Sequence, residues 1–302
     1  MDYTLLRAFN AVAIEGSFSA AAQRLNVSQS TLSTQVKNLE IKFGVELFCR
    51  HARGATLTSA GKQLLVTTRS MFAHERDAYE LLSAIGGLRT GHLSITAVGP
   101  YQVSEILRHF SARYPNLNIS VTFGNSAQAQ QSLLTFDTDV AVLGSSAHHP
   151  DLKAIEYSRP RIMLAVSIEH PWANLDAVSV ESLDRETFIR RETGSETQRA
   201  FESAVNSMGL EMNYRMEMGS REGMLATVAQ GLGIGIVSEE EAVPNPFLHF
   251  LRIVGVDVAT VIHVACLTTR SESHLIRPFL DTAQELAKAR AIASRPRSSG
   301  LA

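Results

Sequence analysis

The stretch SFSAAAQRLNVSQSTLSTQVKNLE, from Ser17 to Glu40, decides the fold of the N-terminal part of the chain. Its first half, with three consecutive alanines and Leu25, predicts a compact helix whose small side chains let a neighbouring helix approach closely. Asn26 and Val27 interrupt this helix, and Ser28 is a favourable N-cap for the next one. The stretch therefore predicts two short helices joined by a tight turn.

The second of these helices has two contrasting faces. Its apolar side chains are spaced by three or four residues and form one stripe, which contains Leu32, Val36, Leu39 and Phe43. The other side carries hydroxyls, an amide and a positive charge but no carboxylate, on Ser30, Thr31, Ser33, Thr34, Lys37 and Asn38. A solvated face is the simpler interpretation. Two short helices around a tight turn are, however, typical of the helix-turn-helix, whose second helix enters a DNA groove.

The residues around this stretch complete the same arrangement. An earlier apolar helix, with Leu5, Leu6, Phe9, Val12 and Ala13 on one side, supplies a third member of the bundle. After the second helix, residues 47–58 contain two short extended runs around a basic tip with Gly54, which predicts a β-hairpin wing. Arg50, His51 and Arg53 near that tip are candidates for contacts to phosphates or to a minor groove.

Length and composition bound the class of protein. The chain has 302 residues, 45% of them hydrophobic and 19% charged, which is typical of soluble globular proteins with two or three domains. No apolar run approaches the roughly 18 residues of a membrane span, and no secretion signal follows Asp2. The two cysteines, Cys49 and Cys266, fall in different predicted domains. A structural disulfide, a metal site or a cofactor is not expected, and a reducing cytoplasm is.

Charge is distributed unevenly along the chain. Residues 1–90 hold ten Lys and Arg against seven Asp and Glu, whereas residues 91–302 hold eighteen against twenty-three. A net charge of +3 on the first part and −5 on the second suits a DNA-binding head joined to an acidic body.

A long helix is predicted between head and body. From Ser59 to Ile85 there is no proline, and the sequence carries two adjacent heptad stripes. They consist of Leu64, Met71, Ala78 and Ile85, and of Leu65, Phe72 and Tyr79. The pattern favours a helix that pairs with a copy of itself, with packing on its own domain as the alternative.

Beyond Gly91, strands alternate with helices, which predicts an α/β domain with largely parallel sheets. Strands are expected at 93–98, 117–123, 139–143, 162–167, 188–191, 213–218, 234–237, 250–254 and 260–268. Helices are expected at 103–113, 127–136, 196–208, 222–230 and 273–293.

The segment LLRAFNAVAIEGSFSAAAQRLNVSQSTLSTQVKNLEIKFGVELFCRHARGATLTSAG resembles the head of the LysR-type transcriptional regulators, and the resemblance covers essentially the whole chain. It implies that the groove-facing residues are Ser28, Gln29, Ser30, Thr31, Ser33 and Lys37. The polar face of the predicted helix adds Thr34 to this set. It also implies that Arg50 and Arg53 are wing contacts and that double-stranded promoter DNA is the partner, bound by a homodimer or homotetramer. Ser30 departs from the proline that is frequent in the family.

The resemblance further implies a winged helix-turn-helix domain at 1–58, a linker helix at 59–90 and a two-lobed, periplasmic-binding-protein-like effector domain at 91–302. The chain would cross between lobes near Arg161–Ile162 and Val264–Ala265. One lobe would then hold 91–161 and 265–302, and the other 162–264.

Glycine, serine and threonine precede several predicted helices, and free N–H groups at a helix start attract anions. The residues that would face an effector are Gly99, Pro100, Tyr101, Gln102, Asn125, Ser126, Gly194, Ser195, Thr197, Gly219 and Ser220. Each segment taken singly is also explained as a simple N-cap. Together they predict a site for a small anionic effector, a phosphonate or a carboxylate.

Two segments, AVGPYQV at 97–103 and FGNSAQAQQSLLTFDTDVAVLG at 123–144, are similar to a LysR subgroup associated with 2-aminoethylphosphonate catabolism. That resemblance makes this phosphonate the leading effector. A recognised amine would require a carboxylate, and Glu196 is the nearest candidate in the sequence.

Other functions are less well supported by the sequence. An enzyme or a transport protein on the same two-lobed body would lack a recognisable catalytic motif or secretion signal. A redox sensor would need cysteines that can meet. The glycine-rich run at 231–235 follows a predicted helix and opens a strand, so a tight turn is favoured over a phosphate-binding loop. His148 and His149 lack nearby metal-ligating partners.

Overall fold

The computed structural model describes residues 2–51, 54–85, 91–144 and 149–293. The chain divides into two compact units, an N-terminal one that holds residues 1–87 and a C-terminal one that holds residues 88–134 and 138–302. Within the described ranges, no helix is both long and apolar enough to cross a membrane.

The N-terminal unit is a helical bundle followed by a hairpin and a long helix. Its helices are α1 Tyr3–Glu15, α2 Phe18–Leu25, α3 Gln29–Phe43 and α4 Ser59–Ile85, and its strands are β1 Phe48–His51 and β2 Gly54–Leu57. Ser17 and Ser28 cap α2 and α3, with each Oγ accepting a backbone N–H from the first turn. Asn26 ends α2 in the left-handed conformation, which fixes the short turn between the two helices. These elements form the expected helix-turn-helix.

The hairpin is antiparallel, with Phe48 opposite Leu57 and Arg50 opposite Ala55. Its inner end closes the bundle, because the Phe48 ring contacts the rings of Phe9 and Phe18. The wing expected between 47 and 58 is therefore present in the described part of the hairpin. Arg53 lies outside the described residues, and only the backbone of Arg50 is described.

The long helix α4 is continuous, but its apolar side chains do not all form one seam. Leu65 is only 9% exposed and Leu64 is partly buried, and both pack into the core of the head. Phe72 lies edge-on to the Tyr3 ring. The start of α4 thus packs on its own domain, as the alternative interpretation proposed. Large exposed apolar side chains are concentrated at its other end, on Tyr79, Leu81, Leu82 and Ile85.

The C-terminal unit, called the body here, has two lobes. The first contains β3 Gly91–Ala97, α5 Pro100–Arg113, β4 Leu117–Phe123, α6 Ser126–Leu134, β5 Val140–Gly144 and β6 Leu152–Ser158, and its last two elements are given below. The second contains β7 Ile162–Ser167, β8 Ala177–Ser179, β9 Thr187–Arg191, α7 Glu196–Ser207, β10 Asn213–Met218, α8 Arg221–Ala229, β11 Gly235–Ser238 and β12 Leu248–Val254. The chain then returns to the first lobe as β13 Ile262–Leu267 and α9 Ile276–Ala293.

Each lobe has a sheet of mixed direction. The first-lobe sheet has the order β4-β3-β5-β13-β6, in which β3 pairs in parallel with β4 and β5 while β13 runs antiparallel to both neighbours. In the second lobe the order is β11-β7-β12-β8, beside the parallel pair β9 and β10. The expectation of largely parallel sheets holds for the pairs β3–β4, β3–β5, β9–β10 and β8–β12, whereas β7 and β13 run antiparallel to both of their neighbours. Strand β13 arrives from the other lobe without the crossover helix that joins parallel neighbours.

The second crossing between lobes lies earlier than the sequence suggested. Strand β13 pairs with the first-lobe sheet from its first residue, with Ile262 opposite Gly144 and Val264 opposite Val142. The boundary expected at Val264–Ala265 is therefore corrected to a point before Ile262. Near the first crossing, Arg161 forms an isolated antiparallel bridge with Ala259, so the two crossing segments lie side by side.

The lobes have separate cores. Phe110 and Phe279 meet edge-on in the first, and Phe188 packs against Phe201 in the second. Because neither core extends across the cleft, the groups that face each other between the lobes are the ends of strands and the starts of helices.

Candidate functional site

The exposed N-terminal part of α3 carries the polar face expected to meet DNA. Ser28, Gln29, Ser30, Thr31, Thr34 and Lys37 are exposed and Ser33 is half-buried. Leu32, Val36 and Leu39 on the opposite side are buried in the head. Gln29 is exposed, and its side-chain oxygen accepts a hydrogen bond from the Ser19 hydroxyl at 3.1 Å.

The hydroxyls at the start of α3 share hydrogen bonds. The Ser28 Oγ atom lies 2.8 Å from the Ser30 Oγ and 2.7 Å from the Thr31 Oγ1. No acidic residue lies in the first turn. The helix's single carboxylate, Glu40, accepts the N–H groups of Leu47 and Phe48 in the wing. This surface can therefore approach a phosphate backbone without a facing carboxylate.

In the body, a cavity of about 460 Å³ lies between the two lobes. The first lobe contributes Gly99, Pro100, Phe123, Gly124, Asn125 and Gln128, and the second contributes Arg191, Glu192, Gly219, Ser220, Arg221 and Glu222. A much smaller cavity of about 30 Å³ shares Asn125 and Arg191 with it and reaches Ser126, Ser195 and Thr197. We refer to the larger of these as the cleft cavity.

Several of the predicted effector residues hold the local backbone. The Ser126 hydroxyl is buried and exchanges two hydrogen bonds with Gly144, as donor to its carbonyl at 2.7 Å and as acceptor from its N–H at 3.0 Å. Ser195 and Ser220 cap α7 and α8. Each of these hydroxyl oxygens accepts one backbone N–H, which leaves its O–H donor and one lone pair available to a ligand.

Gly194 and Asn125 bring the lobes together. Gly194 has a φ of +99°, and a Cβ there would lie 2.8 Å from the Asn125 Oδ1 atom. The Asn125 side-chain amide donates to the Thr193 carbonyl at 3.2 Å, which joins the lobes beside the cavity. A glycine is needed at 194 for both its conformation and this close approach.

Six predicted effector residues do not line the cleft cavity: Ser126, Ser195 and Thr197 reach only the smaller cavity, and Tyr101, Gln102 and Gly194 line neither. Gln102 is buried, and its amide donates to Glu240 instead. Tyr101 lies on the exposed side of the first turn of α5, with its ring 5.7 Å from the Arg221 guanidinium. The reason is helical rotation: only Gly99 and Pro100, at the start of this helix, reach the cavity.

The charged side chains of the cleft cavity were missed by the sequence analysis. Arg191 binds Glu192 with two hydrogen bonds of 2.8 and 2.9 Å. Burial opposes ionisation of Glu192, but the hydrogen bonds and charge of Arg191 hold the pKa of its carboxyl below the usual range. The signal lies in the segments RETGS at 191–195 and GSREG at 219–223, where an Arg-Glu pair adjoins a predicted helix start.

Arg221 is the more firmly held of the two arginines. Its guanidinium binds Glu222 at 2.6 Å and also binds Glu241, which is itself buried. Burial works against its charge, yet Glu241 and Glu222 raise the pKa of Arg221 above its ordinary value. Glu196, the expected amine partner, is instead paired with Arg199 at 2.9 and 3.0 Å.

The remaining sequence candidates have structural explanations. The run at 231–235 joins α8 to β11, with positive φ at Gly231 and Gly233, and is the tight turn expected. Cys266 is fully buried, which raises the pKa of its thiol to about 11, while Cys49 is exposed. No cluster of three or more metal-ligating side chains occurs among the residues described.

Comparisons with known proteins match both units. Residues 3–62 match the bacterial regulatory helix-turn-helix protein, lysR family, and residues 86–288 match the LysR substrate binding domain. The HTH-type transcriptional activator CmpR of Synechocystis sp. is 32% identical over 232 residues, 76% of each chain.

Two solved structures illustrate the shared fold. Full-length CbnR complexed with its target DNA matches at a TM-score of 0.70 with 24% identity, covering 95% of this chain and 100% of that one. The regulatory domain of CcmR from Synechocystis PCC6803, in complex with 2-PG, matches at 0.59 with 23% identity, covering 65% and 97%.

Proposed function

The chain belongs to the LysR family of DNA-binding transcriptional regulators and carries an effector-binding domain, and from this premise we propose that it responds to a small anion held in its cleft cavity. It is a regulator and not an enzyme. The observation that carries the proposal is the pair of arginines, Arg191 and Arg221, that line one cavity between the lobes.

The cavity offers an anion both charge and hydrogen-bond donors. Two guanidinium groups provide planar sets of N–H donors that match carboxylate and phosphonate oxygens. The start of α8 adds the Ser220 hydroxyl and the positive end of the helix dipole. A tetrahedral phosphonate, with 2-aminoethylphosphonate as the leading candidate, or a small carboxylate fits this donor set. The regulatory domain of CcmR, which shares this fold, forms a complex with 2-PG.

For DNA, we assign the groove contacts to the exposed face of α3, from Ser28 to Lys37, and the backbone contacts to Arg50 and Arg53 of the wing. The protein then acts on promoter DNA as a dimer or a dimer of dimers in the cytoplasm. An anion that binds Arg191 and Arg221 of the second lobe and also contacts the first lobe favours a closed arrangement of the two lobes.

Calorimetry on the full chain tests the effector site. Phosphate, phosphonates, 2-phosphoglycolate and small carboxylates are titrated against wild type and Arg191→Gln. At least one anion should bind wild type, and that binding should weaken 10-fold or more in the variant, since a charged hydrogen bond is lost. Arg113→Gln, which removes an exposed ion pair of the same body, is the matched control. Equal binding by both variants would place the effector elsewhere.

A further inference from the structure

The cleft cavity carries as many negative charges as positive ones. Among the described residues, its charged side chains are Arg191, Glu192, Arg221 and Glu222, two of each sign. Each arginine is paired with the glutamate that follows it in the sequence. Behind Arg221, the buried Glu241 adds a further carboxylate. The cavity is therefore not a simple positive site for an anion.

Both cavity carboxylates are ionised at neutral pH. Burial alone would raise the pKa values of Glu192 and Glu222, but the neighbouring arginines, together with backbone N–H groups, keep both values below the usual range. An anion without a positive group adds negative charge to a cavity in which two carboxylates already balance the two arginines. An added charge without a partner of opposite sign is unfavourable in a partly buried site.

The other groups of the cavity indicate the shape of the ligand. Phe123 and Pro100 of the first lobe present apolar surface to the same cavity. A short aliphatic chain can lie against them while its two ends reach the charged groups of the second lobe. Glu192 is mostly buried and held close to Arg191, whereas the Glu222 side chain is largely exposed. Glu192 is thus the better-ordered acceptor for a positive group.

We propose that the effector is a small zwitterion, with its anionic group on Arg191 and Arg221 and its ammonium group on the Glu192 carboxylate. The inference rests on the proposed function, which concerns the anionic group alone. Glu222 provides the second carboxylate near the ammonium group. In this arrangement the ligand adds one charge of each sign, so the balance of two positive and two negative side chains in the cavity is kept.

Two matched pairs of ligands measure the contribution of the ammonium group to binding. 2-Aminoethylphosphonate is compared with ethylphosphonate, and β-alanine with propionate, so that each pair differs only by the ammonium group. Calorimetry on the full chain should give about 10- to 100-fold tighter binding for the amine-bearing member of at least one pair, as expected for a charged hydrogen bond.

Glu192→Gln tests the assigned carboxylate. The variant should lose the preference for the amine while binding ethylphosphonate or propionate as tightly as wild type or more tightly. Glu285→Gln, at an exposed ion pair with Arg113 in the same body, should keep the preference. A glutamate that only supports the fold would weaken every ligand equally, and that result would overturn the assignment.

The outcomes separate the two proposals. If the amine-free ligands bind as tightly as their partners, the zwitterion proposal is wrong and the anion site stands. The same holds if 2-phosphoglycolate, which has no amine, binds while none of the four ligands does. If calorimetry detects binding of none of these ligands to the wild-type chain, both proposals fail.

Discussion

Gly99 and Arg221 meet across the cleft: a methyl group on Gly99 would lie 2.7 Å from the Arg221 Nη1 atom. Gly99 precedes the first helix of one lobe, and Arg221 begins a helix of the other. The guanidinium is held by Glu222 and Glu241, so it cannot move aside without weakening an ion pair. The backbone of Gly99 is extended, so this contact, and not conformational strain, disfavours a larger residue there.

Gly99→Ala should therefore displace Arg221 and weaken effector binding. Overpacking of this kind costs about 1–3 kcal/mol, which corresponds to about 5- to 150-fold in affinity. Arg113→Gln, which removes an exposed ion pair outside the cleft cavity, is the control. Calorimetry with the effector compares the two variants. Wild-type affinity in Gly99→Ala would show that the arginine does not contact the ligand.

Ser126→Ala should reduce stability more than it reduces ligand binding. The substitution removes both hydrogen bonds to Gly144 and leaves a buried N–H and a buried carbonyl without this partner. We expect a loss of about 2–3 kcal/mol in the free energy of unfolding. For a unit of this size that corresponds to a melting temperature lower by about 5–10 °C.

Ser220→Ala provides the comparison for this prediction. Ser220 is exposed and caps α8 with one hydrogen bond to the Gly223 N–H at 3.0 Å, so its loss should cost about 1 kcal/mol. Thermal unfolding of the two variants followed by circular dichroism measures the difference. A Ser126→Ala protein as stable as Ser220→Ala would contradict the structural role of the Ser126 hydroxyl.

The helix-turn-helix and most strands of the body could be predicted from the sequence, because caps and apolar periodicity are local signals. Strand β6 could not be predicted, because it is an edge strand in which Lys153 and Glu156 interrupt the apolar pattern. The cleft arginines were missed because an Arg-Glu pair at a helix start has the appearance of a solvated surface. Only the pairing of distant elements brings Arg191 and Arg221 to one cavity.

The exposed face of α3 should contribute one phosphate contact to DNA binding through Lys37, in addition to the backbone contacts assigned to the wing. Lys37→Ala should weaken binding to all sequences and lower the slope of log K against log salt by about 0.9, the value for one lost phosphate contact. Thr31→Ala should instead alter the preference among sites. Fluorescence anisotropy with the promoter fragment measures both effects. Lys288→Ala, an exposed lysine of the body, should leave the slope unchanged, and an unchanged slope in Lys37→Ala would exclude its contact.

Cys266 should be unreactive in the folded protein. Burial raises the pKa of its thiol to about 11, so at pH 8 only about one molecule in a thousand carries the thiolate. A thiol reagent at pH 8 should modify the exposed Cys49 rapidly and Cys266 only after unfolding. Modification of both at equal rates in the native state would revive the redox-sensor hypothesis.

The same buried thiol predicts a pH dependence of stability. In the unfolded chain a cysteine ionises near pH 8.5, whereas in the folded chain it stays neutral up to about pH 11. The unfolded state therefore binds fewer protons in this window, and stability should fall as the pH rises through it. Cys266→Ala, which cannot ionise, should show a shallower decline in melting temperature between pH 8.5 and 11.

We expect the exposed end of α4 to form the contact between two copies of the chain. The burial of each apolar residue of α4 decides which substitutions can test that contact. Leu65 belongs to the core of the head, so a charge there would unfold the domain instead of separating two copies. Tyr79 and Leu82 are each 65% exposed and lie one turn apart. The double substitution Tyr79→Glu and Leu82→Glu should place like charges in the contact at a cost of about 3–5 kcal/mol.

Light scattering should then show that the double variant is a monomer, and its DNA binding should be weakened. Thr67→Glu, at an exposed position of the same helix, is the control and should remain associated. If the double variant keeps its wild-type mass, the contact between copies lies outside this end of the helix.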